Sequence, residues 1–249
     1  MRRIAFFNAN TLKIIAAVTM LVDHAGVVLF PEYIIFRIIG RISFPIYAFM
    51  IAEGCKHTKN RLKHFLSVFG LGILCQSVFQ ITTGVEYMGI LITFSASILL
   101  VNLLFDFKNQ IFHGKWYGAV LSGILFVLLV ILAYVITQNV AFDYGITGIL
   151  LPVLISMPSL FVSELEKQGW VASIVRSNTA RVLLVAVGLV SFAFAQKDAF
   201  YLYSLISVPL LLLYSGRRGR LKLKWFFYIF YPAHLVLLYG IDWIVQHLS

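Results

Sequence analysis

Long apolar runs fill most of the chain, and short polar gaps separate them. An α-helix needs roughly 20 apolar residues to cross the hydrocarbon core of a bilayer. Nine runs approach or reach that length, at 11–30, 34–53, 62–82, 88–107, 116–137, 144–163, 180–196, 198–214 and 225–247. The pattern predicts an all-α, polytopic membrane protein with about nine transmembrane helices in a single bundle around a buried polar cavity. The boundary between the seventh and eighth runs is the least certain, because Gln196-Lys197-Asp198 makes a very tight turn between them.

Composition supports the membrane interpretation. Of 249 residues, 61% are hydrophobic and only 12% are charged, and the mean hydropathy is +0.92. Soluble domains carry about 25% charged residues, so a soluble fold could not hide this much apolar surface. The two cysteines, Cys55 and Cys75, have neither metal-site nor disulfide spacing. We therefore expect one transmembrane domain over residues 1–249, with the lipid bilayer as its main partner and no metal.

Net charge is +10, but its distribution argues against nucleic acid as a partner. If the N-terminus is cytoplasmic and the runs alternate, every Lys and Arg except Arg37, Arg41 and Lys197 falls on the cytoplasmic side. Basic residues favour cytoplasmic loops in membrane proteins. The charges therefore predict a cytoplasmic N-terminus, and we interpret the basic stretch 215–224 as an orientation signal.

A small set of polar residues lies inside the apolar runs. An ionisable residue near the bilayer centre costs about 2.5–3.5 kcal/mol on insertion scales, so such residues are candidates for function. The candidates are Asp23 and His24 in the first run, Arg37 and Arg41 in the second, Asp143 with Tyr144 at the outer start of the sixth, and His234 in the ninth.

The first two runs should bring their polar residues together. Arg37 and Arg41 are four apart, so on a helix they share a face. The short hairpin makes the two runs antiparallel neighbours, which places both arginines at the depth of Asp23 and His24. Pro45 cannot donate to the carbonyl of Arg41, so we expect a kink beside the arginines.

A structural interpretation competes with the functional one. Asp23 could simply form an ion pair that holds the two helices together, and His234 could be a buried histidine with satisfied hydrogen bonds. For Glu53, His57 and His64 at the inner interface, a solvated structural role is favoured.

The chemistry that fits is acyl transfer. Lys13 and His24 are eleven residues apart, so they share a helix face at a separation of roughly 16 Å. An acyl-coenzyme A has a matching shape, with phosphates at one end and a thioester at the other. His24 would act as general base or transient acyl carrier, beside Asp23, and an arginine would stabilise the oxyanion. The sequence lacks both the Gly-x-Ser-x-Gly and the His-Glu-x-x-His motifs, which leaves serine hydrolases and zinc proteases unsupported.

Four segments carry a family resemblance. They are LKIIAAVTMLVDHAGVVLFP (12–31), RIIGRISFPIYAFMIAEGCKHTKNR (37–61), DYGITGILLPV (143–153) and FFYIFYPAHLVLL (226–238). Together, and in this order, they resemble the TraX family, whose namesake is the conjugative pilin N-acetylase. That family is similar to the type-three membrane acyltransferases, which carry Arg or Lys, ten residues, then His, as Lys13 and His24 do here. The paired arginines are four apart in this chain, whereas they are three apart in those relatives.

The resemblance implies a membrane acetyltransferase of the bacterial cytoplasmic membrane that uses acetyl-coenzyme A or another acyl-coenzyme A. It implies His24 as the catalytic histidine, with Asp23, Arg37 and Arg41 beside it. We assign donor binding to Lys13, Arg41 and Arg61, and acceptor binding to Asp143, Tyr144 and His234. The acceptor would be an amine or hydroxyl on a peptide N-terminus, a glycan or another small molecule, outside the cytoplasm or within the membrane.

Two other functions remain open at this point. The Asp, His and Arg cluster would also suit a proton-coupled transporter or flippase, although no inverted repeat is recognisable. A structural subunit of a secretion or conjugation assembly is the third possibility.

Overall fold

Helices make up the regular structure of the described part of the chain. The structure is a computed structural model that describes residues 6–84, 87–161, 178–221 and 223–248. The helices are α1 (Ala9–Val28), α2 (Ile34–Gly40), α3 (Ser43–His57), α4 (Arg61–Thr83), α5 (Ile90–Phe112), α6 (Trp116–Asn139), α7 (Gly145–Ser156), α8 (Pro158–Phe161), α9 (Asn178–Gln196), a 3-10 helix (Ala199–Ile206), α10 (Ser207–Leu212) and α11 (Lys224–Leu248). None of the described residues forms a strand, and two isolated bridges join Phe7 to Tyr214 and Met88 to Phe142.

Seven helical segments within the described ranges are long and apolar enough to cross a membrane. They are Ala9–Val28, Ile34–His57, Arg61–Ile81, Ile90–Phe112, Trp116–Asn139, Asn178–Gln196 and Trp225–His247, each of 19 to 24 residues. The prediction of an all-α polytopic membrane protein is thereby confirmed in its general form. The predicted count of nine differs from these seven. Within the described residues, the sixth and eighth apolar runs form shorter helices, at Gly145–Leu160 and Ala199–Leu212, and the sixth run continues past residue 161, where that described range ends.

Each of these two segments has a local feature. In the sixth run, Pro152 lies inside α7, and a turn at Met157 separates α7 from α8. The end of this run, together with Arg2, Arg3, Lys167, Arg176 and Lys222 of the orientation argument, lies outside the described residues. In the eighth run, Asp198 caps the start of the 3-10 helix by accepting a hydrogen bond from the backbone N–H of Phe200. A 3-10 helix rises about 2.0 Å per residue, against about 1.5 Å for an α-helix, so fewer residues cover the same depth.

The predicted kink in the second run is confirmed. Helix α2 ends at Gly40, a turn follows at Arg41 and Ile42, and α3 begins at Ser43. Pro45 lacks the N–H that would bond to the carbonyl of Arg41, so the helical ladder is interrupted there. The hydroxyl of Ser43 instead donates to the carbonyl of Gly40, at 2.9 Å.

The chain divides into two compact units, Met1–Met50 with Ser77–Gly84 and Val185–Ser249, and Ile51–Gln76 with Val85–Leu184. In the first, α1 packs against both α2 and α11. In the second, α5 packs against α6 and α7. Two hydroxyls of α5 donate hydrogen bonds to α7 and to the turn before it. Thr93 donates to the carbonyl of Asp143, in that turn, at 3.1 Å, and Ser97 donates to the carbonyl of Ile149, within α7, at 2.8 Å. The single domain expected over residues 1–249 stays a prediction.

Candidate functional site

An ion pair joins the first two helices of the first unit. A nitrogen of the Arg37 guanidinium lies 2.9 Å from Oδ1 of Asp23. The Asp23 side chain is 18% exposed and that of Arg37 is 33% exposed. The prediction that an arginine of the second run reaches Asp23 is confirmed by this contact, as is the competing expectation of an interhelical ion pair.

Close approach of α1 and α2 makes this pair possible. A Cβ atom added at Gly40 would overlap the side chain of Asp23, and one added at Gly26 would overlap Phe36. Glycine at both crossing points therefore lets the two backbones approach until the short Asp23 side chain meets Arg37.

His24 contacts a histidine from the last helix rather than Asp23. Its Nδ1 lies 2.8 Å from Nε2 of His234. The ring centroids are 5.0 Å apart and the planes differ by 8°. That centroid separation equals the N···N distance plus one ring radius at each end, so the hydrogen bond lies in the plane of both rings. The two imidazoles therefore meet edge to edge, in line, rather than face to face.

The rest of the His234 ring is also held. Its Nδ1 lies 2.8 Å from the backbone carbonyl of Phe230. The ring of Phe230 lies parallel to it at 5.1 Å, and that of Tyr231 is perpendicular at 5.6 Å. His234 is only 4% exposed. Both nitrogens of this buried ring thus have partners. His234 therefore matches the alternative interpretation, a buried histidine with satisfied hydrogen bonds.

The two arginines of the second run have different partners. Arg37 is close enough to His24 for their charges to interact. Arg41 is 8% exposed, and its guanidinium carbon lies 5.1 Å from the ring centre of Phe200 and 5.2 Å from that of Tyr201. Aromatic faces attract cations in this geometry. The predicted roles of Arg41 at the oxyanion and donor remain predictions, and the sequence pattern did not indicate its aromatic partners.

A basic loop, residues 215–221, contacts the start of α1. The backbone N–H groups of Ala9 and Asn10 donate to the carbonyls of Arg217 and Arg218, at 2.8 and 3.2 Å. The side chain of Asn10 donates to the carbonyl of Leu221 at 2.7 Å. Arg218 is close enough to Lys13 for the two charges to interact. The stretch predicted to be an orientation signal therefore also gathers positive charge beside Lys13.

The remaining predicted residues belong to the second unit. The carboxylate of Asp143 accepts a hydrogen bond from the hydroxyl of Tyr87. Tyr144 has a left-handed backbone, with φ 59°, which is uncommon for a residue other than glycine. Arg61 forms an ion pair with Asp106, a partner that the sequence pattern did not indicate. The acceptor roles of Asp143 and Tyr144 and the donor role of Arg61 remain predictions.

One buried ion pair was missed. Glu53 and Arg181 are 8% and 7% exposed, and their charged groups are 2.5 Å apart. Oε1 of Glu53 also lies 3.1 Å from Nε2 of His57. The solvated role expected for Glu53 is therefore wrong, because Arg181 from a distant part of the sequence covers it. Spacing along the chain predicts contacts only between residues that are close in sequence, and Glu53 and Arg181 are too far apart for it to indicate their pairing.

Among the described residues, no cluster of three or more His, Cys, Asp or Glu suits a metal ion.

These features define a polytopic helical membrane protein with an imidazole pair and an ion pair on its apolar helices. A sequence model of one family, described as TraX protein, matches residues 8–242. The chain belongs to the TraX family, and the resemblance of its four segments is confirmed.

Two relatives extend the comparison. The chain is 24% identical to a probable fimbrial assembly protein FimC, serogroup H1, of Dichelobacter nodosus, over 93% of this chain and 94% of that protein. A shorter match, 48% identical over 40 residues, covers 16% of each chain in an uncharacterized protein of Rickettsia prowazekii (strain Madrid E). No solved structure matches the chain.

The contact between Gly40 and Asp23 gives a stability prediction. Gly40→Ala should destabilise the protein by about 1–3 kcal/mol, because the added methyl group must displace the carboxylate or separate the helices. Thermal unfolding of the purified protein in detergent measures this. Gly240→Ala is the matched control, since that glycine also lies within a helix and its added Cβ meets nothing within 4 Å. Equal stability of the two variants would contradict the close approach of α1 and α2.

Proposed function

We propose that this protein is a membrane acyltransferase that moves an acyl group, with acetyl as the expected one, from acyl-coenzyme A to an amine or hydroxyl acceptor. The observation that carries the proposal is the arrangement on α1. Towards one end of α1, His24 is hydrogen-bonded to His234 and Asp23 is ion-paired with Arg37 of α2. Towards the other end, Lys13 lies close enough to Arg218 for their charges to interact. The separation of Lys13 and His24 along the helix, roughly 16 Å, suits a donor whose charge and reactive group are far apart.

His24 is the proposed general base. The acceptor nitrogen or oxygen attacks the carbonyl carbon of the thioester, and the imidazole takes the proton that the acceptor loses. The tetrahedral intermediate then expels the coenzyme A thiolate, to which His24 returns the proton. The products are the acylated acceptor and free coenzyme A, and the enzyme is regenerated.

Arg37 is the proposed stabiliser of the oxyanion. Its guanidinium has five N–H donors, and the pair with Asp23 engages one of its nitrogens. It remains one-third exposed and within electrostatic range of His24. A positive charge fixed before the reaction lowers the energy of the negative charge that develops on the carbonyl oxygen. In this assignment Asp23 positions Arg37, whereas the sequence pattern placed it beside His24 as an orienting carboxylate.

The phosphates of the donor are assigned to the basic loop and Lys13. Arg217 and Arg218 are anchored to the first turn of α1 through their backbone carbonyls, so their side chains are not needed to hold the loop in place. Arginine and lysine bind phosphate through charge-assisted hydrogen bonds. This assignment keeps the binding of acyl-coenzyme A that was predicted for Lys13. It adds the basic loop to the same binding site, whereas the sequence pattern indicated that stretch as an orientation signal only.

The acceptor is proposed as a class. The family's namesake acetylates a pilin, and the full-length relative is a probable fimbrial assembly protein. The terminal amine of a pilus or fimbrial subunit is therefore the first acceptor to test, and the hydroxyl of a glycan is the second. Asp143 and Tyr144 are the proposed acceptor residues at the outer face.

We place the protein in the bacterial cytoplasmic membrane, with the N-terminus inside and nine crossings. Contacts within the second unit support a crossing by the shorter segment Gly145–Leu160. Thr93 near the start of α5 bonds to Asp143, and Lys108 near its end bonds to the carbonyl of Ser159 at 3.1 Å. The segment therefore runs alongside α5 for roughly 22 Å, which is most of the thickness of the hydrocarbon core.

His24→Ala tests the reaction. The variant should lower the rate of acetyl loss from acetyl-coenzyme A, measured in proteoliposomes with an amine-terminated peptide, by about 10²-fold or more, because the general base is gone. Coenzyme A should still raise its thermal unfolding temperature, since the phosphate site is intact. His113→Ala is the control, because that histidine is exposed and bonds only to its own helix. Full activity of His24→Ala, or no stabilisation of the unmodified protein by coenzyme A, would contradict the proposal.

Lys13→Ala tests the donor site. Loss of one charge-assisted hydrogen bond to phosphate should raise KM for acetyl-coenzyme A by about tenfold, with kcat little changed. Lys197→Ala removes an exposed cation of the same unit that lies beyond the end of its helix, and should leave KM unaltered. An unchanged KM in Lys13→Ala would mean that the donor does not lie along α1.

A further inference from the structure

The hydrogen bonds around His234 have a fixed direction. A backbone carbonyl can only accept, so Nδ1 of His234 must carry a proton and donate it to Phe230. In a neutral imidazole the other nitrogen is then an acceptor. Nε2 of His234 therefore accepts from Nδ1 of His24, which must carry the proton of that bond.

The same reasoning continues into the His24 ring. With its single proton on Nδ1, neutral His24 keeps a free lone pair on Nε2. Nε2 lies on the opposite edge of the ring from the shared hydrogen bond, and none of the described residues donates to it. A neutral imidazole in water exchanges between its two tautomers. Here the chain of hydrogen bonds from His24 to His234 and on to the carbonyl of Phe230, which we call the relay, holds His24 in one of them.

We propose that His234 is a positioning residue that fixes the tautomer and orientation of His24, so that Nε2 of His24 is the atom that takes the proton in acyl transfer. This inference rests on the proposed function and extends it. It also changes the role predicted for His234 from the sequence, which was acceptor binding. Both nitrogens of His234 are engaged, at 2.8 Å each, so neither is available to an acceptor.

The relay also stabilises the charge that forms. When Nε2 of His24 takes a proton, the ring becomes positive, and its Nδ1–H still donates to the lone pair of His234. Hydrogen bonds from a charged donor are shorter and stronger than those between neutral groups. The bond to His234 therefore strengthens as the reaction proceeds, as expected for a third group that orients a catalytic base.

The surroundings of His234 suit this role. Phe230 and Tyr231 contact the ring on two sides, and the side chain is almost completely buried. A ring held in this way cannot rotate to offer a different nitrogen without breaking both hydrogen bonds. Packing therefore fixes the acceptor position that His24 needs.

Two amide substitutions separate the two halves of the relay. In His234→Gln, the amide oxygen replaces Nε2 and can still accept from His24. In His234→Asn, the shorter side chain replaces Nδ1, so it can donate to Phe230 but cannot reach His24. His247→Asn is the matched control, because His247 lies on the same helix and makes the same Nδ1 bond, at 2.8 Å, to the carbonyl of Trp243.

The test uses the full chain in proteoliposomes with acetyl-coenzyme A and an amine-terminated peptide. We expect kcat of His234→Asn to fall by about 10²-fold at unchanged KM for the donor, whereas His234→Gln keeps kcat within about tenfold of the unmodified protein. His247→Asn should be unaffected. Thermal unfolding checks that the three variants are folded.

The outcomes distinguish this inference from the function on which it depends. If the unmodified protein transfers acetyl and His24→Ala does not, yet His234→Asn is as active as His234→Gln, the positioning role is wrong and the proposed function stands. The positioning role is also wrong if both amide variants are folded and equally inactive, because the retained acceptor would then have no effect. If the unmodified protein transfers no acetyl, the proposed function itself fails.

Discussion

An in-plane hydrogen bond between His24 and His234 connects the first and last long helices of the first unit, and the proposed chemistry depends on it. An imidazole in a membrane helix needs a partner for its N–H, because lipid supplies none. Here the partner is a second imidazole whose own N–H is used on a backbone carbonyl. The result is a directed chain of donors and acceptors that ends on one nitrogen of His24. The same bond that satisfies a buried polar group also selects which atom can act as a base.

The second constraint is the close crossing of α1 and α2. Gly26 and Gly40 remove the side chains that would hold the helices apart. Asp23 and Arg37 then form their ion pair at the depth of His24, and neither charge is left without a counter-charge. Helix α2 breaks after Gly40, and Arg41 packs on Phe200 and Tyr201 while it stays close enough to Asp23 for their charges to interact. Residues four apart in sequence therefore contact different elements.

Much of this could be predicted from the sequence, and the limits have physical causes. Apolar run length identified the helices that are long and apolar enough to cross a membrane, and the short hairpin indicated that Asp23 would meet an arginine. Run length did not indicate that the described part of the sixth run, Gly145–Leu160, and the eighth run, Ala199–Leu212, form shorter helices, because the pattern of apolar residues does not record the turn at Met157 or the 3-10 geometry of Ala199–Ile206. The pairs His24–His234 and Glu53–Arg181 join residues more than 100 positions apart, at 210 and 128 positions. Tertiary packing decides such contacts, and spacing along one chain does not record it.

The tautomer of His24 is the most direct measure of the proposed relay. Nitrogen-15 NMR of histidine-labelled protein in a lipid bilayer distinguishes a protonated ring nitrogen from one with a free lone pair, and the signal lost in His24→Asn assigns the residue. At neutral pH we expect Nδ1 of His24 to be protonated and Nε2 to be unprotonated. We also expect both tautomers to appear in His234→Asn. A His24 ring with the proton on Nε2 in the unmodified protein would contradict the relay.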